Sequence, residues 1–407
     1  MASVVEASPS DSPSTQTTVN IGTRRSALAR IQADTVEKAL KEAWPENKYV
    51  VHAMSTMGDK DQTTALHEFN AKALWTHELE ALLDAGDLDL VVHSLKDMPT
   101  QLPQGLSIGC ICPREDARDA LVVKPTLSST YKSLAALPAG SVIGTSSVRR
   151  SAQIKRLYPH LRFADVRGNL GTRLAKLDNP DSEYAALILA AAGLKRLGME
   201  QRITAYLTKN DGGMLYAVGQ GALGIEIRQG DARIKTLLSK VGCEKTTRAC
   251  LAERSLLRTL EGGCSVPIGV ETEWVKRSSL EGPVGAKPAA EYHQISGVAK
   301  EPQAGPSGAT RDGQGDMGDQ PAKEHEQMAQ MKMSGQDDSD VLVMRAVVVS
   351  LDGSEAVEVE TRRYITSRAD ADEYGWDVAR RLVEKGAGKI LEKINLNRKI
   401  IEKQGDA

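Results

Sequence analysis

Residues 88–93 read LDLVVH, a short apolar run, and the polar Ser94, Lys96 and Asp97 follow it at once. A strand that is apolar on both faces is typical of the centre of a sheet covered by helices. Similar runs alternate with amphipathic segments of helical length, which indicates βαβ units, mostly parallel sheets and an α/β fold. The further candidate strands are residues 50–54, 106–112, 141–143 and 185–190, and the candidate helices are residues 26–43, 72–85 and 147–158.

The C-terminal part of the chain has a different pattern. After about residue 241, a helix with regularly spaced leucines leads into Gly262-Gly263-Cys264. Asp352-Gly353 is a strong signal for a β-hairpin, and a further helix is expected from about residue 370. The candidate strands here are residues 266–274, 341–351 and 356–361. This order of elements predicts a smaller α+β domain.

Two segments have a composition that disfavours a packed core. Residues 276–340 are rich in Gly, Pro, Gln, Asp and Ala, with few large apolar side chains to offset the entropy of ordering. We expect a largely disordered insert there, in which residues 291–300 are a candidate edge strand. Residues 1–17 are expected to be a disordered lead-in. Because the first 20 residues contain no Lys or Arg, they do not predict a secretion signal, and we expect a cytoplasmic protein.

Length, charge and cysteine content limit the classes of function. The 407 residues correspond to two or three domains at roughly 150 residues each. A net charge of −2, from 52 basic and 54 acidic side chains, gives no global reason to expect a nucleic acid or an anionic membrane as partner. No run approaches the roughly 18–20 apolar residues of a membrane span. Five cysteines without a secretion signal argue against a disulfide framework, and the scattered histidines predict no metal site.

Three places share one design, in which a strand end and a small polar turn precede a helix start loaded with arginine. They are residues 21–26, 143–150 and 166–173. A helix N-terminus carries partial positive charge, so arginine there is unfavourable unless an anion meets both the dipole and the guanidinium group. Between residues 144 and 176 there are eight Lys or Arg and one acid, Asp165. The pattern predicts a ligand with several anionic groups, and the alternative is a set of solvated surface arginines.

Two further places carry candidate chemistry. Asp97 follows the strand at residues 88–93, and ligands of open α/β sheets bind at the carboxyl ends of strands, where an acid can stabilise a cation or move a proton. The alternative is a Lys96–Asp97 surface pair near the turn at Pro99. Cys264 follows two glycines, which favours an exposed thiol able to carry a covalent group. The alternative is a structural turn with an inert thiol.

Residues 219–224 read GQGALG and match the dinucleotide-binding spelling GxGxxG. That fingerprint needs a strand before it and a helix after it. The residues that follow, IEIR at 225–228, are instead typical of a strand. We therefore expect no nucleotide site here.

Eight segments, taken in order, resemble the hydroxymethylbilane synthase (porphobilinogen deaminase) family. They read GTRRSALARIQ, STMGDK, DLVVHSLKDMPT, VIGTSSVRRSAQ, RGNLGTRL, AAGLKRLG, YAVGQGALGIE and LEGGCSVPIGV. The likeness implies two doubly wound α/β lobes resembling periplasmic anion-binding proteins, and a smaller α+β C-terminal domain with the cofactor cysteine. The implied boundaries are residues 18–116 with 219–242 for domain 1, 117–218 for domain 2 and 243–407 for domain 3.

The resemblance also implies an activity, that of a transferase in tetrapyrrole (haem) biosynthesis. Four porphobilinogen molecules would be joined head to tail with loss of ammonia, and water would release linear hydroxymethylbilane. The implied cofactor is dipyrromethane, held covalently on Cys264. A monomer with porphobilinogen as its small-molecule partner is expected from the family, with no nucleic acid and no membrane.

The same resemblance assigns roles to residues. Asp97 matches the family's catalytic acid, which stabilises a cationic pyrrole ring, and Lys96 would add a carboxylate contact. The expected carboxylate-binding arginines are Arg24, Arg149, Arg150, Arg167, Arg173 and Arg196. The expected hydrogen-bond partners are Ser26, Gln32, Ser94, Thr145, Ser146 and Gln220. The chain departs from the family's pattern at Trp75 and His77, where Phe and Lys are usual, which puts a lysine-dependent contact there in question.

Two other functions stay open from the residues alone. A non-catalytic, two-lobed anion-binding module would explain the arginine-rich helix starts, but it gives no role to Asp97 or Cys264. A nucleic-acid-binding protein would use the basic segment 144–176, but it would need a broad basic face with stacking aromatics. That segment offers only Tyr158 and Phe163.

Overall fold

The structure is a computed structural model that describes residues 17–56, 76–260, 266–277 and 340–394. The chain divides into two compact units, residues 1–273 with 343–407, and residues 274–342. In the second unit the described residues are the ends of two strands, where Lys276 lies 3.1 Å from Asp340. The predictions for residues 1–16, for Cys264 and for the insert with its edge strand at 291–300 lie outside the described residues.

The first sheet has five strands. They are β1 (Thr18–Arg24), β2 (Lys48–Met54), β3 (Leu90–Ser94), β4 (Leu106–Ile111) and a late strand, β10 (Leu223–Arg228). Their order across the sheet is β2-β1-β3-β10-β4. β1 pairs in parallel with β2 and β3, whereas β10 runs antiparallel to β3 and β4.

The second sheet repeats this arrangement. Its strands are β5 (Asp119–Val123), β6 (Val142–Gly144), β7 (Arg162–Ala164), β8 (Tyr184–Ala190) and β9 (Ala205–Leu207). The order is β7-β6-β8-β5-β9. β6 pairs in parallel with β7 and β8, and β5 runs antiparallel to β8 and β9.

The chain crosses between the two sheets twice, through residues 112–118 and residues 208–222. Each sheet takes its single antiparallel strand, β5 or β10, from the chain that has just crossed. The prediction of mostly parallel sheets is therefore confirmed for strand directions and wrong for strand pairings. β5 and β10 each enter their sheet at the edge where the parallel strands end, so each must run in the opposite direction. Each lies between two strands, and half of the pairings in each sheet are therefore antiparallel.

Eight α-helices lie wholly within the described residues, and residues 387–394 add a further helical segment at the end of the last described range. The eight helices are α1 (Ala27–Ala43), α2 (His77–Ala85), α3 (Val148–Leu157), α4 (Leu170–Asp178), α5 (Ala191–Arg196), α6 (Ala232–Leu238), α7 (Glu244–Thr259) and α8 (Arg368–Glu384). The helix predicted at residues 72–85 begins at His77 within the described residues. None of the helices described here combines the length and apolar character that a membrane span requires.

Helices cover both faces of β3, as its unbroken apolar run predicts. Val92 lies on the face toward α1, in one cluster with Val36 and Leu40 of that helix. Val91 lies on the opposite face, in a cluster with Leu79 of α2. Alternate side chains of a strand point to opposite faces, so a strand that is covered on both sides is apolar at most of its positions.

The third sheet is small and has the order β11-β12-β13, formed by β11 (Ile268–Lys276), β12 (Asp340–Val349) and β13 (Ala356–Tyr364). The predicted hairpin at Asp352-Gly353 is confirmed, because Gly353 has a φ of 81° in the turn between β12 and β13. α7 and α8 pack against each other beside this sheet. The fold is thus α/β in two sheet-and-helix lobes, with a smaller α+β part.

Candidate active site

The polar residues after β3 form a tight turn at the edge where the parallel strands end. Ser94 is the last residue of β3, and Leu95–Asp97 is a short 3-10 helix. The backbone N–H of Leu95 donates to the carbonyl oxygen of Ala222 at 3.0 Å. This bond attaches residues 94–98, here called the Asp97 turn, to the second crossing segment.

A small cavity of about 20 Å³ lies beside the Asp97 turn. Its lining includes Arg24, Gln32, His93, Ser94 and Asp97. The Gln32 amide nitrogen donates to the hydroxyl oxygen of Ser94 at 2.8 Å. Ser26 instead caps α1, and its hydroxyl oxygen accepts from the backbone N–H of Ala29 at 3.4 Å. The structure therefore brings four of the predicted site residues to one cavity and gives Ser26 a role as helix cap.

The paired arginines at the start of α3 bind Asp119, the first residue of β5. Arg149 donates to Oδ2 of Asp119 at 2.7 Å, and Arg150 donates to Oδ1 at 2.9 Å. All three side chains are buried, and both guanidinium groups also donate to backbone carbonyl oxygens. Burial alone would raise the pKa of Asp119, but Arg149 and Arg150 outweigh it and hold the pKa well below its usual range. A carboxylate of the protein itself thus meets both arginines.

Cationic side chains gather around Asp97. Burial, with the added charges of Arg150 and Arg167, lowers the pKa of Arg173 to about 10, while Asp97 acts in the opposite direction. Burial also lowers the pKa of Lys96, again with Asp97 opposing and Arg150 contributing. Neighbouring cations repel one another, and a bound anion relieves this repulsion and stabilises their charged forms. The cluster therefore suits a ligand with carboxylate groups.

Thr145 and Ser146 lie in the loop between β6 and α3, where they support the backbone. The Thr145 hydroxyl oxygen accepts from the backbone N–H of Ser147 at 3.2 Å. The Ser146 hydroxyl donates to the carbonyl oxygen of Val166 at 3.0 Å. The first bond lies within the loop after β6, and the second connects this loop to the one after β7; both loops lead into the arginine-rich helix starts.

Arg196 and Gln220 lie at the crossing segments. Arg196 donates to the carbonyl oxygen of Gly221 at 2.7 Å. The Gln220 amide nitrogen donates to the carbonyl oxygen of Ala117 at 2.7 Å and to Asp119 at 3.1 Å. Both side chains therefore hold the connection between the lobes, a position that the linear sequence does not reveal.

Glu253 of α7 is a buried residue that the sequence analysis missed. It binds Arg114 of the first crossing segment through both carboxylate oxygens, at 2.6 and 3.1 Å. It also accepts from the backbone N–H of Gly219, in the second crossing segment, at 2.8 Å. One carboxylate thus joins both crossing segments to α7. The sequence offered little signal, because residues 252–256 read AERSL and are largely polar, although all five are buried in the structure.

His93 and Glu226 form a second missed pair, next to the Asp97 turn. His93 Nε2 lies 2.9 Å from Glu226 Oε2, and these residues are 5% and 0% exposed. Glu80 of α2 is buried close by, where burial raises its pKa and the charge of Glu226 adds to the effect. The signal in the sequence was a glutamate between Ile225 and Ile227, in a run that otherwise indicates a buried strand.

The glycines of GQGALG allow close packing. A Cβ atom on Gly221, whose φ is +86°, would lie 2.4 Å from the carbonyl oxygen of Glu115. A Cβ atom on Gly224 would lie 2.6 Å from the Met98 sulfur. The motif is followed by β10, which confirms the prediction that a strand and not a helix comes after it.

Comparisons with known proteins bear on this geometry. The family model described as porphobilinogen deaminase, dipyromethane cofactor binding domain, matches residues 19–236, and the model of the porphobilinogen deaminase C-terminal domain matches residues 247–305. The porphobilinogen deaminase of Candida albicans is 44% identical over 94% of this chain and 94% of its own length. That of Saccharomyces cerevisiae is 42% identical over 94% of this chain and 98% of its own length. The chain belongs to the porphobilinogen deaminase family.

The residues around Asp97 fit the cofactor named in the porphobilinogen deaminase domain that matches. Dipyrromethane carries carboxylate groups, and the partly buried cluster of Lys96, Arg167 and Arg173 presents cationic donors beside Asp97. Cys264, the predicted attachment point, lies outside the described residues, so this attachment stays a prediction. Trp75 also lies outside them, and His77, the first residue of α2, is exposed.

Proposed function

We propose that this porphobilinogen deaminase chain works as a hydroxymethylbilane synthase. It joins four porphobilinogen molecules head to tail on a dipyrromethane primer, with loss of ammonia at each step. Water then releases linear hydroxymethylbilane for tetrapyrrole (haem) biosynthesis. The observation that carries the proposal is the position of Asp97 at the carboxyl end of β3, next to Lys96 and Arg173, whose pKa values are both lowered.

The cationic side chains bind the carboxylates of substrate and primer. Each pyrrole unit carries an acetate and a propionate group, so negative charge accumulates as the chain grows. Arg167 and Arg173 offer planar forks that match carboxylates, and Lys96 adds a compact charge. Arg24 contributes from the first lobe, beside the same cavity as Asp97.

Arg149 and Arg150 have a different part in this proposal. Asp119 offsets one of their two positive charges, and their hydrogen bonds hold the start of α3 to β5. Burial is the main cause of the lowered pKa values of Lys96 and Arg173, and the charge of Arg150 adds to it at both residues. We assign Arg149 and Arg150 to carboxylate binding, because their positive potential attracts the carboxylates of the ligand. We assign Arg196, at the crossing segments, to the same role.

Asp97 stabilises the positive charge that develops during condensation. Loss of ammonia from porphobilinogen leaves an electron-poor methylene carbon. A carbon–carbon bond forms between this carbon and the free α carbon of a pyrrole, whose ring is cationic until the α proton leaves. The Asp97 carboxylate accepts hydrogen bonds from pyrrole N–H groups and lowers the energy of that cation. A fixed carboxylate does this without reorganisation, and the hydrogen bond from Leu95 to Ala222 supports its position.

Dipyrromethane, when bound, supplies the terminal pyrrole from which the product grows. We assign its attachment to the sulfur of Cys264, as a thioether. α7 ends at Thr259, shortly before this cysteine. Glu253 holds α7 to both crossing segments, so the chain that leads to Cys264 starts from a fixed helix.

Three domains are also proposed, with residues 18–116 and 219–242 in the first, 117–218 in the second and 243–407 in the third. The three sheets support this division, because each consists of strands from one of these domains. A cytoplasmic monomer with porphobilinogen as its partner is proposed from the family resemblance.

Intact mass spectrometry of the purified full chain tests the proposal, beside Cys264→Ser and Cys243→Ser. Cys243 is a half-buried thiol just before α7, so its substitution is a matched control. We expect extra mass equal to dipyrromethane on the natural chain and on Cys243→Ser, and none on Cys264→Ser. An unmodified natural chain that also takes up nothing from porphobilinogen would overturn the mechanism and favour the two-lobed anion-binding module.

A further inference from the structure

Arg254 of α7 binds the backbone at the C-terminal end of the Asp97 turn. One guanidinium nitrogen donates to the carbonyl oxygen of Met98 at 3.3 Å, and the other donates to the carbonyl oxygen of Pro99. Arg254 is only 3% exposed. Its planar group therefore holds two successive carbonyl groups immediately beyond Asp97.

The partners of Arg254 are unusual for a buried cation. Across the residues that the structure describes, no carboxylate lies within ion-pair distance of it, although its neighbour Glu253 binds Arg114. Burial lowers the pKa of Arg254 to about 10, and the more distant Glu226 acts in the opposite direction. A buried charge without a close opposite charge costs stability. The benefit of Arg254 must therefore lie in the two carbonyl groups, those of Met98 and Pro99, that it holds in place.

The other end of the same turn is fixed by β10. The backbone N–H of Leu95 donates to Ala222, directly before that strand, and His93 binds Glu226 within it. Asp97 lies between these contacts and the two carbonyl groups that Arg254 holds. Three residues of a 3-10 helix with both ends attached have little freedom to change the direction of a side chain.

We propose that Arg254 is a positioning residue that fixes the Asp97 turn relative to the helix leading to Cys264. α7 thereby connects the proposed catalytic carboxylate to the proposed attachment point of the primer. The expected effect on kcat rests on the proposed function. The expected effect on the Asp97 turn rests only on the two carbonyl contacts of Arg254. Arg254 itself touches neither substrate nor reacting atoms.

The test uses the full chain with Arg254→Met, Arg254→Lys and Arg258→Met. Arg258 lies one turn further along α7 and pairs with Asp372, away from the Asp97 turn, so it controls for loss of a guanidinium from this helix. Deuterium uptake at the backbone amides of residues 95–98, followed by mass spectrometry, reports the turn without requiring activity. Steady-state kinetics with porphobilinogen report kcat and KM separately.

We expect faster amide exchange at residues 95–98 in Arg254→Met and unchanged exchange in Arg258→Met. We also expect kcat to fall about 100-fold with little change in KM, because misplacing a catalytic group affects the transition state more than binding. Arg254→Lys should recover part of both effects, since it keeps the charge but loses the fork. If Arg254→Met does not fold, the Arg254→Lys variant decides by the same two measurements.

Unchanged exchange at residues 95–98 in a folded Arg254 variant would overturn the positioning role. A loss that appears in KM alone would overturn it as well, because that result assigns Arg254 to binding. A natural chain without primer and without activity contradicts the proposed function instead. The exchange measurement still judges the contact between Arg254 and the turn in that case.

Discussion

The carboxylate of Asp119 lies 2.7 Å from the guanidinium group of Arg149, and both side chains are buried. Arg150 binds the second carboxylate oxygen. β5, the strand that follows the first crossing segment, thus begins with Asp119, and this carboxylate holds the start of α3 in place. Arg149 and Arg150, which the sequence predicts as ligand donors, both bind a carboxylate of the protein itself. The charge of Arg150 also adds to the lowering of the pKa values of Lys96 and Arg173 that burial causes.

Replacing Asp119 with Asn should destabilise the protein by about 3–5 kcal/mol, because it leaves two buried guanidinium groups without their anion. Urea unfolding at neutral pH measures this. Asp178→Asn is the matched control, since Asp178 forms a two-pronged pair with Arg202 at the surface and its loss should cost less than about 1 kcal/mol. Similar losses for both variants would contradict the structural role of the Asp119 pair.

Replacing Asp97 with Asn should lower kcat by roughly 100- to 10,000-fold while the chain stays folded. The amide keeps the size of the side chain but cannot stabilise a cationic ring by charge. Single-turnover assays with porphobilinogen measure the effect. Asp87→Asn, at an exposed position shortly before β3, should behave like the natural chain. Full activity in Asp97→Asn would remove this residue from the mechanism.

Replacing Arg173 with Met should raise KM for porphobilinogen about 10- to 100-fold, the loss expected for one charged hydrogen bond or two. Arg173→Lys should lose less, because the charge remains. Steady-state kinetics separate these values from kcat. Arg162→Met, at an exposed position on β7, serves as the control. An unchanged KM in Arg173→Met would mean that the cationic cluster around Asp97 does not bind substrate carboxylates.

Glu80 should make the stability of the protein depend on pH. Burial raises the pKa of this residue, so its neutral form is favoured in the folded state. Its contribution to the free energy of unfolding is present below the ordinary glutamate pKa of about 4.3 and is lost as pH rises through the raised value. Glu80→Gln should therefore become more stable, relative to the natural chain, as pH rises from about 4 to 8.

Chemical denaturation across this pH range measures the Glu80 effect. Glu42→Gln removes an exposed glutamate of α1, with 69% of the side chain accessible, and should show no such trend. A stability difference between Glu80→Gln and the natural chain that does not change with pH would refute the assignment.

Local patterns in the sequence predicted most elements of the fold. The apolar runs located strands such as β3 and β8 within about two residues, and Ser26 marked the start of α1. Strand pairing could not be predicted in the same way. β5 and β10 take their direction from the crossing that precedes each of them, and this depends on contacts between residues far apart in the chain.

The candidate site shows the same division. Lys96 and Asp97 are placed by their strand, so their position could be predicted from the sequence. Arg149 could not be separated from a ligand-binding arginine, because its partner Asp119 lies 30 residues earlier. Arg254 gave no signal at all, since its two contacts are backbone carbonyl groups more than 150 residues away.

The place of β10 in the first sheet has a consequence for synthesis of the chain. β10 lies between β3 and β4, but the ribosome makes it only after every strand of the second sheet. Until residues 223–228 emerge, β3 and β4 each keep an unpaired edge, a state prone to association with other chains. The N-terminal lobe therefore cannot mature first. A nascent chain that stops within the second lobe leaves both lobes unfinished.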